Sequence, residues 1–218
     1  YAITWDRGSA LGIANAKLEY STDGGSAWTL LNESEGTAND GIVPNSGAYT
    51  WTAPVTLTTA LKLRVSDPNN SAALSTGAGN AEIRGALTLT SPNTGAELWD
   101  ADSISNITWT KKGTFPTVKI EYSTDGGSTW ATCLDGVGTP ATAYDATLGG
   151  TGFPWKVPDA LGANTKVKIT SNADPSNVFS ITPSFKIVGS LTLTAPVASD
   201  KWPVGGTRNI AWTKTGSI

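Results

Sequence analysis

A nine-residue sequence that occurs twice, with one residue changed, constrains the fold of this chain more than any other feature. Residues 20–28 read YSTDGGSAW, and residues 122–130 read YSTDGGSTW. Asp-Gly-Gly between two β-prone runs predicts a hairpin, because a tight turn needs positive φ and glycine adopts it without steric cost. The residues assigned to these structural hairpins are Asp23, Gly24, Gly25, Trp28, Asp125, Gly126, Gly127 and Trp130. The strands expected to pair are 16–21 with 27–31, and 117–123 with 129–134.

Other short sequence motifs recur at nearly the same interval. Ile-Thr-Trp begins at residue 3 and again at residue 107, and Leu-Thr-Leu-Thr begins at residue 87 and again at residue 191. This interval of about 104 residues exceeds a solenoid turn or a propeller blade and suits an immunoglobulin-sized β-sandwich. The predicted domains are residues 1–86, a repeat lacking its first strand; residues 87–190, a complete repeat; and residues 191–218, the first two strands of a third repeat.

Alternating side chains mark the strands of the complete repeat. Val118, Ile120 and Tyr122 are separated by Lys119 and Glu121, and this period of two is typical of a half-buried strand. Helical periodicity is absent, and 135–150 reads as a long loop. The predicted fold class is all-β, with tandem Ig-like or fibronectin-III-like sandwiches of seven strands. These strands are expected near 87–91, 104–111, 117–123, 129–134, 151–157, 165–171 and 180–188.

The nine tryptophans fall at equivalent positions of the repeats. A repeated tryptophan is typical of a core or turn anchor, whereas a sugar-binding platform needs exposed rings, and four platforms in each repeat would be too many. The predicted structural-core tryptophans are Trp5, Trp51, Trp109 and Trp155. Further residues predicted to be buried are Ile107, Val118, Ile120, Val167 and Ile169. Charged residues predicted to be exposed and paired on outward strand faces are Lys119, Glu121, Lys166 and Lys168, with Lys17, Glu19, Lys62 and Arg64 as their counterparts.

Composition removes several classes of function. The net charge is −3, so the chain lacks the basic footprint of a nucleic-acid-binding protein, and no apolar run is long enough for membrane insertion. Without histidine, neither a Ser-His-Asp nor a Cys-His catalytic site can form. Residue types alone leave a paired-carboxylate glycosidase open, although the acids occupy repeated strand faces and turns. We therefore expect no catalytic residue and no enzyme activity.

Few residues suggest a cofactor or metal. Cys133, the single cysteine, reads as a small packing residue within a strand. Asp67 and Asp174 each precede a proline and read as turn residues. Asp100 and Asp102 lie close in sequence, but their spacing is not that of a calcium loop. The expectation is no cofactor and no metal site.

Several of these motifs together resemble a known family. They are Ser91-Pro92-Asn93-Thr94-Gly95, Trp99, Ile107-Thr108-Trp109-Thr110 and Val118-Lys119-Ile120-Glu121-Tyr122. As a set they resemble the Ig-like domain of the Ser/Thr-rich, GPI-anchored yeast cell-wall family first described from glucan synthesis, and its tandem bacterial relatives. The resemblance implies an Ig-like or fibronectin-III-like sandwich in an extracellular protein. It transfers no catalytic residue.

The hairpin also resembles the Asp-box of sialidases. Ser123, Asp125, Gly127, Thr129 and Trp130 fit the pattern S-x-D-x-G-x-T-W. In that family the box marks the blades of a propeller, which would recur about every 40–60 residues. The two boxes here are 102 residues apart, so we interpret them as convergent hairpins.

The function expected from the sequence is a structural or adhesive repeat segment of a large, secreted, surface or filament-forming protein. The alternative is a glycan-binding accessory module of a secreted enzyme. Expected partners are neighbouring repeats of the same chain or identical subunits in a fibre, with cell-surface glycans as a further candidate and no nucleic acid. Both ends of the chain read as incomplete repeats. We expect flanking sequence of a longer array to complete them, the alternative being strand exchange between subunits.

Overall fold

The computed structural model describes residues 1–7, 12–31 and 40–218 of the chain. These residues form strands, turns and one short 3₁₀ helix, without an α-helix among them, so the predicted all-β class is confirmed. Nor does the described part contain a helix long and apolar enough to cross a membrane. The chain divides into two compact units, Tyr1–Gly85 and Ala86–Ile218.

The described residues of the first unit form eight strands in two antiparallel sheets. The larger sheet has the order β3-β2-β6-β7, with β4 also beside β2 and β8 beside β6, and the smaller sheet is the pair β1-β5. The strands are β1 (Ala2–Thr4), β2 (Asn15–Ser21), β3 (Thr29–Leu30), β4 (Ile42–Pro44), β5 (Ala48–Thr50), β6 (Thr58–Asp67), β7 (Asn70–Thr76) and β8 (Ala81–Ile83).

The second unit contains twelve strands. They are β9 (Ala86–Ser91), β10 (Leu98–Asp100), β11 (Ile104–Lys112), β12 (Thr117–Ser123), β13 (Ala131–Thr132), β14 (Tyr144–Asp145), β15 (Phe153–Lys156), β16 (Gly162–Ser171), β17 (Phe179–Ile181), β18 (Phe185–Val188), β19 (Ser190–Ala195) and β20 (Ala211–Thr215). A seven-stranded sheet has the order β10-β18-β16-β12-β13, with β14 beside β12 and β17 beside β16. A three-stranded sheet has the order β15-β11-β9, and β19 pairs with β20.

The core of the second unit lies between its two larger sheets. The inward residues of β12 alternate with polar neighbours, which is why Val118 and Ile120 are fully buried. Trp155 of β15 packs on Tyr122 of β12, with ring centroids 5.2 Å apart. Trp109 is 2% exposed, and its indole N–H donates to the carbonyl of Ala146 at 3.1 Å. The first unit has a smaller core, formed by Ala16, Leu18, Leu31, Val43, Trp51, Leu61 and Ile83.

The prediction of one continuous strand over 180–188 is wrong, because the structure has two strands there. Pro183 has no amide hydrogen and cannot continue a ladder, so β17 and β18 form on either side of it. The strand expected over 129–134 shrinks to β13, and Cys133 lies just beyond it. The loop expected over 135–150 contains β14 and a 3₁₀ helix, Ala146–Gly150, whose first turn is capped by Asp145. Short elements of this kind carry too few residues for periodicity to detect.

Strand β10 has no counterpart among the sequence predictions. It pairs with β18 in parallel, whereas the other strand pairs among the described residues are antiparallel. Its Trp99 packs on Phe185 and Trp155, with ring centroids 5.2 and 5.7 Å away. Only three residues long, β10 gives no alternation to recognise.

Candidate functional site: two hairpins and an open groove

The second hairpin is held by a closed set of hydrogen bonds around Asp125. The hydroxyl of Ser123 donates to Asp125 Oδ1 at 2.7 Å and accepts from the amide of Gly127 at 2.8 Å. Asp125 Oδ1 also accepts from the amides of Ser128 and Thr129, both at 2.9 Å. The Thr129 hydroxyl donates to Asp125 Oδ2 at 2.7 Å. The carboxylate therefore organises the turn and joins its two strands.

The first hairpin repeats this arrangement with one bond fewer. Ser21 donates to Asp23 at 2.7 Å, and Asp23 accepts from the amides of Ser26 and Ala27 at 2.9 and 3.0 Å. Ala27 stands where the second hairpin has Thr129 and has no hydroxyl to donate. In both copies the strands flanking the turn pair as the sequence predicts, with Tyr20 opposite Thr29 and the equivalent pair in the second unit.

Glycine is required at the turns by backbone conformation. Gly126 and Gly127 have φ values of 75° and 102°, in a region where side chains are strained. A Cβ on Gly127 would also lie 3.4 Å from the Trp130 ring, which covers the turn. Gly24 and Gly25, with φ values of 78° and 102°, repeat this geometry beside Trp28.

The hairpin carboxylates are held in their charged form. Hydrogen bonds from the Ser123 and Thr129 hydroxyls and the Thr129 amide hold the pKa of Asp125 well below its usual range. The pKa of Asp23 is also lowered, chiefly by the amide of Ala27 and the hydroxyl of Ser21. These are structural acceptors, since every one of those bonds is made within the turn.

The prediction that Glu121 is exposed is wrong, because Glu121 is only 9% exposed. The carboxylate lies between Lys119 at 2.6 Å and Lys168 at 2.9 Å. Burial raises the pKa of Glu121, but hydrogen bonds from the two lysines outweigh it and the pKa lies below its ordinary value. Lys168 also covers the Trp130 ring, 4.4 Å from its centroid. Lys119, Lys166 and Lys168 are half-buried rather than exposed.

The first unit carries the same cluster with arginine in place of lysine. Glu19 is 7% exposed and accepts from Arg64 Nη2 at 2.7 Å and Nε at 2.9 Å. Arg64 Cζ lies 4.2 Å from the centroid of the Trp28 ring. Lys17 completes the cluster, 3.3 Å from Glu19. Both hairpins thus present a tryptophan face already covered by a cation.

The tryptophans divide into three environments. Trp51, Trp109 and Trp155 are buried, at 6%, 2% and 0% exposed. Trp5 was expected among them but is only half-buried, because the face it presents toward β6 and β7 is left open. Trp202 and Trp212 are 44% and 58% exposed.

An open groove runs along β1 in the first unit. Two adjoining cavities, of about 410 and 180 Å³, share Trp5, Asp6, Val65 and Ser75 in their walls. The apolar lining of the larger cavity is Ile3, Trp5, Leu18, Leu31, Leu63 and Val65. Ser75 and Gly77, on and just after β7, border the opposite side.

The equivalent positions are closed in the second unit. Ile107, Trp109, Val167 and Ile169 stand 104 residues after the groove residues and are each 2% exposed or less. They are covered by β9, which pairs with β11 so that Leu89 lies opposite Trp109. The amide of Leu89 donates to the Ser180 hydroxyl on β17 at 3.2 Å.

The pair β19-β20 repeats the pair β9-β11 but leaves its apolar side chains exposed. Leu193 lies opposite Trp212, as Leu89 lies opposite Trp109. Leu191 and Leu193 are 64% and 59% exposed, whereas Leu87 and Leu89 are 7% and 4% exposed.

The sequence interpretation missed the counterpart of Cys133 and the roles of Glu97 and Asp159. Cys133 is fully buried, its pKa is raised by that burial, and its amide bonds the carbonyl of Ile120 just as Leu31 bonds Leu18. The 102-residue hairpin offset could have identified Leu31 as its counterpart. Glu97 accepts from the amides of Asn93 and Thr94 at 2.8 Å. Asp159 accepts from the amide of Ser217 at 2.9 Å.

The acidic loop residues serve local turns. Asp67 accepts from the amide of Asn69 at 2.8 Å, and Asp174 accepts from the Asn177 side chain at 2.8 Å. Within the described residues, no group of three or more His, Cys, Asp or Glu side chains is placed to hold a metal ion.

Comparisons of the chain with protein-family models, with curated proteins and with solved structures found no match.

Proposed function

We propose that the chain is a structural segment of an extracellular surface or filament protein, built from tandem β-sandwich repeats of the Ig-like or fibronectin-III-like class. The observation that carries the proposal is that equivalent residues of the two units pair across equivalent strands in the same register. Glu19 pairs with Arg64 between β2 and β6, and Glu121 pairs with Lys168 between β12 and β16, each beneath a hairpin tryptophan. A chain that duplicates its scaffold residues in this way is typical of a modular array.

The use of the polar side chains supports a structural role. The carboxylates of Asp23, Asp125, Glu19 and Glu121 each accept bonds from their own module. A Thr- and Ser-rich chain with 15% charged residues and no disulfide-forming pair fits a surface module. The proposal assigns no catalytic residue.

Stretching single molecules of the chain tests the proposal. A stalk or filament module should resist force, and a repeat of about 104 residues should release a contour length of about 34–37 nm when it unfolds. A sawtooth with increments of that size is the expected result. Gradual extension without a force peak would contradict a load-bearing role.

Glycan binding is the second candidate, favoured by the exposed rings of Trp202 and Trp212. Affinity electrophoresis through gels containing soluble polysaccharides would test it, because a binding module is retarded. Trp212→Ala should then restore normal mobility, while Trp28→Ala serves as a matched control on a ring already covered by Arg64. Unchanged mobility in every polysaccharide would count against this candidate.

A further inference from the structure

We propose that Ala101, Asp159 and Leu161 form a docking surface that holds the next repeat of the array at a fixed angle. The element that this surface binds is the turn after the second strand of that next repeat. In this chain the turn is Gly216-Ser217, directly after β20. The inference rests on the proposed modular function and names the joint between two successive repeats.

The covalent connection at this joint is a single residue. β18 ends at Val188 and β19 begins at Ser190, with Gly189 between them. The Ser190 amide donates to the Thr215 hydroxyl at 3.0 Å, and a Cβ on Gly189 would lie 2.7 Å from the Thr215 carbonyl oxygen. The connection therefore runs directly against the end of β20, where the turn begins.

Asp159 binds the turn through two hydrogen bonds. One carboxylate oxygen accepts from the Ser217 amide at 2.9 Å, and the other accepts from the Ser217 hydroxyl. These bonds, the hydroxyl first and then the amide, hold the pKa of Asp159 below its usual range, so the acceptor is charged at neutral pH. Hydrogen bonds to a charged acceptor are stronger than those between neutral groups, which suits a carboxylate to fixing this turn.

Gly216 lets the backbone of the turn reach the docking surface. Its φ is 72°, in the region that favours glycine. A Cβ built on it would lie 3.0 Å from Leu161 Cδ2, 3.1 Å from Ala101 Cβ and 3.3 Å from Asp159 Oδ1. The turn is thus packed against all three residues, and the surface fits a glycine followed by a residue with a hydroxyl.

The same two residue types recur in the preceding repeat. Gly113 and Thr114 stand 103 residues before Gly216 and Ser217 and directly follow β11, the counterpart of β20. Gly113 also has a positive φ, of 92°. The partner that fits the surface is therefore a repeat of this chain's own type, joined to the second unit through Gly189.

Pulsed electron spin resonance distance measurements on the full chain test the joint. Nitroxides attached at Ser176→Cys and Thr213→Cys report the distance between the loop after β16 and β20. Both positions are exposed, and Cys133 is fully buried and stays unlabelled. The expected result is one narrow distance distribution. Asp159→Ala should broaden it, whereas Asp159→Asn, which keeps an acceptor for the Ser217 amide, should retain most of the narrow distribution.

Two glycine variants give a matched comparison. Gly216→Ala and Gly205→Ala impose similar backbone strain, because the φ values of the two glycines are 72° and 77°. A Cβ on Gly205 meets nothing within 4 Å, whereas a Cβ on Gly216 meets the docking surface. Gly216→Ala should therefore broaden the distribution, and Gly205→Ala should leave it unchanged.

A broad distribution in the unmodified chain overturns the proposal. So does a distribution that stays narrow in either Asp159→Ala or Gly216→Ala, or one that Gly205→Ala broadens as much as Gly216→Ala. A broad distribution in a chain that still unfolds under force in steps of about 34–37 nm would leave the proposed function standing while this inference fails.

Discussion

The ammonium nitrogen of Lys168 lies 4.4 Å from the ring centroid of Trp130 and 2.9 Å from a carboxylate oxygen of Glu121. One side chain therefore connects the hairpin to the sheet beneath it. A cation over an aromatic face contributes about 0.5–2 kcal/mol, depending on how much water is removed. The carboxylate of Glu121 is held between Lys119 and Lys168, and the residue is 9% exposed.

Glu121→Ala should lower the free energy of unfolding of the second unit by about 1–2 kcal/mol, because two half-buried lysines lose their shared partner. Chemical denaturation monitored by tryptophan fluorescence measures this. Lys186→Ala, at an exposed position on β18, is the matched control and should change stability by less than about 0.5 kcal/mol. Equal effects of the two variants would show that the cluster contributes nothing specific.

Exchanging one hydroxyl between the two hairpins should exchange the acidity of their carboxylates. Thr129→Ala removes the bond to Asp125 Oδ2, so the pKa of Asp125 should rise toward that of Asp23. Ala27→Thr should lower the pKa of Asp23 by supplying the missing donor. NMR titration of the carboxyl carbons follows both groups in the same sample. If neither pKa moves, the hydroxyl of Thr129 does not bond the carboxylate in solution.

Acid should destabilise the second unit below about pH 4. Burial raises the pKa of Glu97, but the amides of Thr94 and Asn93 outweigh it and hold the pKa at about 2, below the ordinary value of 4.5. A carboxyl whose pKa is depressed by folding stabilises the fold above its unfolded pKa, and this stabilisation is lost as pH falls through the folded pKa. Melting temperatures measured between pH 5 and pH 2 should therefore fall. Glu97→Gln should flatten the curve in that window, and an unchanged slope would contradict the assignment.

Trp109→Ala should cost about 3–5 kcal/mol, because it removes a buried indole together with its bond to the carbonyl of Ala146. Trp5→Ala at the equivalent position should cost less, since one side of Trp5 faces the open groove. Calorimetry of the two variants compares them in the same chain. Equal losses would mean that the groove is closed in solution.

The sequence predicted best where side chains alternate over several residues. β12 has the bounds expected from Val118, Ile120 and Tyr122, and the hairpins pair as Asp-Gly-Gly requires. Alternation identifies a polar face but not what covers it, which is why Glu121 was expected to be exposed. The approach of Lys168 on β16 comes from a strand 47 residues away, and no local pattern around Glu121 encodes it.

The groove agrees with the predicted absence of a first strand in residues 1–86, but its effect on the burial of Trp5 was missed. Recurrence identified Trp5 as the counterpart of Trp109, but burial depends on a neighbouring strand that lies elsewhere in the chain. The exposure of Leu191 and Leu193 likewise became visible only when their surroundings could be compared with those of Leu87 and Leu89. Equivalent residues of the repeats therefore pair in the same register, but they differ in whether a neighbouring strand buries them.

Gly149 should tolerate no side chain, although its neighbour Gly150 should. A Cβ on Gly149 would overlap the carbonyl oxygen of Trp109 and lie 2.8 Å from its indole nitrogen, where the backbone cannot yield without moving the core. A Cβ on Gly150 meets nothing within 4 Å. Gly149→Ala should therefore destabilise the second unit by about 1–3 kcal/mol, the range for overpacking a core. Gly150→Ala, its matched control, should leave stability within about 1 kcal/mol or raise it, because alanine restricts the unfolded chain. Denaturant midpoints of the two variants decide the matter: similar values would show that β11 does not pack closely on the 3₁₀ helix.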